Sequence, residues 1–261
     1  MYHPLDYRFL YSALKLGIHV VDENGTEREV GVGTGFLLRH NNDFILCTNR
    51  HVVEPGYSDP ARRHWRCTRI IVSGCDEHRQ VVRFAVHHPD PVYPANYDED
   101  VALVYAPEIE VLEGSRESVD LVHIGSGFLA DDGYFEELNA GDFVVFPGWP
   151  EWHDVSGNRP IMRSGILASD PFCDYAGPGM SVGARRLAFE GFSFEGSSGS
   201  PVYALACGLA LGEGLTGGRF RPAKLIGVNA GHLRYFSGVH QHSGISIMMK
   251  STVVHTMLNN R

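Results

Sequence analysis

Apolar and polar residues alternate along this chain in short runs. Such runs occupy residues 30–38, 44–49, 69–73, 80–87, 100–106 and 119–124 in the first half, and 142–147, 160–168, 185–190, 201–206, 223–230 and 243–249 in the second. Period-two alternation sends successive side chains to opposite faces of a strand, and the polar, Gly- and Pro-containing stretches between the runs are turn formers. The pattern predicts an all-β chain of many short strands. At the carboxy end, Val254, Met257 and Leu258 stand at helical spacing behind Ser251, in a position to cap, and predict a terminal helix. Near the start, Phe9, Leu10, Ala13 and Leu14 are spaced to share a helical face. Residues 107–118 and 125–141 are charged or glycine-containing and are expected to be connections.

Three places carry candidate chemistry. Gly196-Ser197-Ser198-Gly199-Ser200-Pro201 is a glycine-dense turn before a strand-like run, a form suited to presenting a serine hydroxyl with free backbone N–H groups beside it. His51 follows the strand-like run Phe44–Asn49, so its neighbours hold it while one ring edge stays free. Asp100 is the last acid of Asp98-Glu99-Asp100 before the apolar Val101-Ala102-Leu103-Val104. That position favours desolvation of Asp100 beside a histidine, with Asp98 and Glu99 nearer water.

Gly33-Thr34-Gly35-Phe36-Leu37-Leu38, Thr48-Asn49-Arg50-His51-Val52-Val53, Asp100-Val101-Ala102-Leu103-Val104 and Gly196-Ser197-Ser198-Gly199-Ser200-Pro201-Val202 together resemble the trypsin-like (chymotrypsin-fold) serine peptidases. They are most similar to the disulfide-free bacterial branch with HtrA-type and glutamyl-endopeptidase-type enzymes. The chain order His, Asp, Ser is that family's, and the likeness spans roughly residues 30 to 250. It implies two six-stranded antiparallel β-barrels with an active site in the cleft between them, plus a C-terminal helix. The boundary is expected within 113–140, dividing the chain into 1–125 and 126–261. The Gly-Xaa-Ser-Gly pattern selects Ser198 over Ser197 as nucleophile. His51 would be its general base, Asp100 the group that orients His51, and the N–H groups of Gly196 and Ser198 the oxyanion hole. No cofactor or metal is required.

The chain departs from the digestive members of that family. Ser197 stands where they carry the aspartate that receives a freed amino terminus, so activation by that route is not expected. Phe192 occupies the position of the pocket floor, which argues against Arg/Lys selectivity. Leu225–His232 resembles the pocket-lining strand that pairs with substrate backbone. Glu195, Asn229, Gly231, His232 and Ser246 are the remaining candidate substrate-binding residues, compatible with a polar or small side chain.

Composition narrows the alternatives. The chain has 261 residues, 43% hydrophobic and 20% charged, ordinary for a globular core; 30 glycines and 14 prolines suit many turns. A net charge of −9 argues against a nucleic-acid partner. The five cysteines form no regular framework, which leaves one pair such as Cys67 and Cys75 open to bridging in an oxidising compartment. No signal peptide is readable and no run approaches the roughly 18 apolar residues of a membrane helix, so a cytoplasmic protein is expected. The expected partner is a protein or peptide substrate, with an activating protein partner if the protease is a regulated effector. A catalytically silent binding module is a third reading. His87-His88 and His240-Gln241-His242 invite a metal site but lack a ligand framework.

Overall fold

The computed structural model describes residues 2–76, 78–105, 109–113, 121–208, 220–234 and 242–260. It is mostly β. The first half contains β1 (Leu14–Val21), β2 (Glu27–His40), β3 (Asp43–Thr48), β4 (Arg66–Cys75), β5 (Val81–His87), β6 (Pro91–Val92), β7 (Ala102–Tyr105), β8 (Ile109–Glu113) and β9 (His123–Gly125). They form one curled nine-stranded sheet in the order β6-β7-β3-β2-β1-β4-β5-β8, with β9 parallel to β2. The second half contains β10 (Phe143–Gly148), β11 (Ile161–Leu167), β12 (Arg186–Glu190), β13 (Pro201–Ala204), β14 (Lys224–Arg234) and β15 (His242–Lys250), closed as a six-stranded barrel in the order β10-β11-β12-β15-β14-β13. The expected pair of closed barrels is thus met in full by the second half; the first half is a curled half-barrel.

β1 corrects the expectation of a helical face at Phe9–Leu14. Leu14, Leu16, Ile18 and Val20 are buried while the residues between them are half-buried, so Leu14 belongs to a period-two pattern. Helix is confined to α1 (Arg8–Tyr11). The 107–118 connection likewise contains β8, and 125–141 contains α4 (Asp132–Glu137).

Alternation along the strands sorts the core into three layers. Leu37, Leu46, Ala102 and Val104 join Leu14, Leu16, Ile70 and Phe84 inside the first sheet. Their neighbours Phe36, Leu38, Cys47 and Leu103 point the other way, onto Tyr203, Val228 and Met249 of the barrel. Val144, Phe146, Leu187, Val202 and Ile226 fill the barrel itself. β13 is buried throughout because it serves both the barrel interior and the layer between the halves. Each large side chain so enclosed stabilises the fold by about 1.5–3 kcal/mol.

The terminal helix α5 (Ser251–Asn259) seals the middle layer with Val253, Val254, Met257 and Leu258. Lys250, not Ser251, is its N-cap residue; the Ser251 hydroxyl donates to the Ala130 carbonyl at 2.6 Å. The chain start crosses the 125/126 division. Tyr2 donates to Asp142 at 3.0 Å and the His3 N–H to the Ala206 carbonyl at 3.1 Å, both in the second half. The Cys67–Cys75 bridge is ruled out because both residues lie on β4. Eight steps of about 3.3 Å separate them, far beyond disulfide reach. No described helix is long and apolar enough to cross a membrane.

Candidate active site

β3 and β7 pair antiparallel, with Thr48 opposite Ala102. That register brings the residues leaving β3 beside those entering β7. The chain turns at Asn49 into the short helix α2 (Arg50–Val53), and His51 meets Asp100 twice. The His51 backbone N–H donates to Asp100 Oδ1 at 2.9 Å, and ring Nδ1 lies 2.5 Å from Oδ2. The Asn49 side-chain amide donates to the Asp100 carbonyl at 2.7 Å. A carboxylate only accepts, so Nδ1 carries the proton and Nε2 keeps its lone pair. Burial pulls the imidazole pKa down, but the charge and hydrogen bond of Asp100 outweigh it, and the net shift is upward.

Asp100 is 6% exposed and Glu99 3%, so Glu99 does not stay near water as expected. It pairs with Arg185 through contacts of 2.7 and 2.8 Å, and Arg185 donates onward to the Thr252 carbonyl and Thr256 hydroxyl on α5.

The serine loop comes from the barrel and is pinned to the first sheet through Thr34 of β2. The Thr34 N–H donates to the Ser198 carbonyl at 2.7 Å, its hydroxyl to the Gly196 carbonyl at 2.7 Å, and its own carbonyl accepts from the Thr48 hydroxyl at 2.7 Å. Gly33, next to Thr34, packs so closely on Val52 of α2 that an added Cβ would lie 2.7 Å from Val52 Cγ1. Thr34 therefore links the serine loop to the strand beside the His51 helix. Two glycines make the docking possible. Gly196 and Gly199 hold φ of +87° and +89°, and a Cβ would drive the first into the Trp149 carbonyl and the second into that of Thr34.

Within the loop, Ser197 N–H donates to the Phe194 carbonyl, Gly199 N–H to that of Asn229, and Ser200 N–H to that of Ser197. Among the described residues, the N–H groups of Gly196 and Ser198 meet no protein acceptor. Ser198 is half-buried and Ser197 fully buried. The Ser197 hydroxyl receives Arg163 Nη2 at 2.5 Å, an arrangement that ties it down. Ser198 Oγ and His51 Nε2 are not hydrogen-bonded here; bonds of this kind often close only with substrate in place.

The expected specificity residues divide. Phe192 is 56% exposed and stacked on Phe194, so it is not the floor of an enclosed pocket. Asn229 is buried behind the loop, its amide donating to the Ser197 carbonyl at 2.9 Å. Ser246 is buried too, donating to the Gly191 carbonyl and accepting from the Ser193 N–H. Asn229 and Ser246 thus hold the loop instead of lining a pocket. Glu195 is exposed, Gly231 has open space above its backbone at φ +131°, and His232 is half-buried. Sequence reasoning overlooked Thr34, Asn49 and Arg163 as parts of this site. Thr34 had a signal, its place between two glycines.

No group of three His, Cys, Asp or Glu suited to a metal occurs among the described residues. His87 contacts Glu110 at 2.9 Å, and His240 lies outside the described residues. No protein-family description and no curated protein matches this chain.

Proposed function

We propose that this protein is a serine endopeptidase that cleaves peptide bonds through an acyl-enzyme, with Ser198 as nucleophile, His51 as general base and Asp100 as its orienting carboxylate. The observation that carries the reading is the doubly bonded His51–Asp100 pair beside a serine loop whose two unengaged N–H groups belong to Gly196 and Ser198.

The chemistry follows from these groups. Ser198 Oγ attacks the scissile carbonyl carbon while His51 Nε2 takes its proton. Asp100 stabilises the resulting imidazolium through Nδ1. The carbonyl oxygen becomes an oxyanion, for which the Gly196 and Ser198 N–H groups are the available donors. Collapse breaks the C–N bond and His51 returns the proton to the departing amine. Water then attacks the ester by the same route and frees Ser198. The β14 stretch at Gly231 lies beyond its pairing with β13, which ends at Val228, and this supports strand addition as the mode of peptide binding. The closed barrel and curled sheet are compatible with the chymotrypsin-like architecture that the motifs resemble.

Regulated activity of the same site is the second reading. It is favoured by Asn229 and Ser246, whose side chains are already engaged where a primary pocket was expected. Digestion of a proteome-derived peptide library by wild type beside Ser198→Ala tests the main reading. Cleavage by wild type alone supports it; absence of cleavage by folded wild type favours the regulated or silent forms.

A further inference from the structure

Arg163 stands on β11, opposite Phe146 of β10, and its guanidinium lies 4.6 Å from the Phe146 ring centroid and 5.8 Å from that of Phe194. Its two prongs end on one turn. Nη1 donates to the Phe192 carbonyl at 2.7 Å and Nη2 to the Ser197 hydroxyl at 2.5 Å. No described carboxylate pairs with it, and its Nε is buried without a partner. Burial pulls its pKa down to about 10, so it remains a cation at neutral pH. Arg163 is half-buried, and a partly desolvated cation without an anion is a poor stabilising device, because the neutral acceptors recover only part of its lost hydration.

What the cation does hold is distinctive. Phe192 opens the turn and Ser197 closes it, and between them and just beyond lie the Gly196 and Ser198 N–H groups. A planar guanidinium sets the separation and direction of its two acceptors together, which a lysine ammonium cannot do. Thr34 fixes the Gly196 and Ser198 carbonyls from the first sheet, and Asn229 fixes the Ser197 carbonyl. The Ser197 hydroxyl accepts from Arg163 at 2.5 Å and, more weakly, from the Phe194 N–H at 3.4 Å.

We propose that Arg163 is a positioning residue that clamps the Phe192–Ser197 turn, so that the Gly196 and Ser198 N–H groups converge on the developing oxyanion. The catalytic part of this inference rests on the peptidase reading; the clamp itself does not. Arg163 touches no reacting atom and acts through Ser197.

The test compares wild type with Arg163→Gln, Arg163→Lys and Ser197→Ala by two measurements. The first is residue-resolved amide hydrogen exchange. The clamp predicts that in both Arg163 variants the Ser197 and Ser200 amides exchange faster by about tenfold or more, while Phe189 and Val202 in the flanking strands keep wild-type rates. The second is acylation by p-nitrophenyl acetate. Loss of oxyanion alignment predicts an acylation rate lower by about 10²–10³-fold with apparent ester affinity within about threefold. Lysine should not restore it, and Arg163→Gln with Ser197→Ala should be no worse than Arg163→Gln alone. Unchanged exchange in the loop, or faster exchange throughout the barrel, overturns the clamp. If wild type is not acylated, the peptidase reading fails while the exchange data still decide the clamp.

Discussion

His51 and Asp100 are joined at two points, backbone N–H to Oδ1 at 2.9 Å and ring Nδ1 to Oδ2 at 2.5 Å. One carboxylate thus fixes both where the helix α2 begins and how its imidazole is turned. Replacing it with an amide should spare the backbone contact and reverse the ring chemistry. Asp100→Asn is expected to fold normally and lose about 10⁴-fold in kcat, because an amide NH₂ in place of an acceptor favours the wrong tautomer. Circular dichroism and ester hydrolysis, measured side by side, check this.

The proposed base works only as neutral imidazole. Since Asp100 more than offsets the burial of His51, the rising limb of kcat/KM with pH should have its midpoint above 6.5, the ordinary histidine value. In Asp100→Ala the residual activity should rise at lower pH, because burial then acts alone. The sign for stability is the opposite of that for activity. A folded-state pKa above the unfolded one contributes stability that is complete below the unfolded pKa and lost as pH rises through the folded one. A limb below 6.5 in wild type would contradict the assignment of His51.

Gly199 tests the loop's docking. Alanine there must adopt φ near +89° and press its Cβ on the Thr34 carbonyl. The conformational strain alone costs about 1–3 kcal/mol, and the collision should push Ser198 off β2. Gly199→Ala is therefore expected to lower the urea midpoint and abolish acylation. Gly125→Ala, at φ −66° with open space around it, should stay within about 0.5 kcal/mol of wild type.

Glu99 and Arg185 tie the residue before Asp100 to the terminal helix. Arg185 keeps 28% of its side chain exposed, so breaking the pair should cost less than the loss of a fully buried one, about 2–3 kcal/mol. Glu99→Gln is expected to show that loss in urea unfolding, with exchange rising first at the α5 amides near Thr252 and Thr256.

Much of this site lay open in the linear pattern, and the reason is local. His51 and Asp100 each stand where an apolar strand meets a polar turn, and the Gly196–Gly199 turn needs residues without a Cβ. β1 was equally legible in its alternation from Leu14 to Val20, but the neighbouring Phe9 and Leu10 suggested a helical face instead. The remaining features depend on distant register. Glu99 looks like a solvated acid until Arg185, 86 residues away, arrives beside it. Asn229 and Ser246 look like pocket residues until the loop carbonyls they serve are in view. Arg163 is a lone arginine in an apolar run, and nothing near it in sequence announces the two acceptors it bridges.

The most direct measurement is fluorophosphonate labelling of the folded protein, with the modified residue located by peptide mass mapping, in wild type and Ser198→Ala. The account predicts one phosphonyl group per wild-type chain, on the Ser198 peptide, and none on the variant. An unlabelled but folded wild type, or a label that persists in Ser198→Ala, would contradict it.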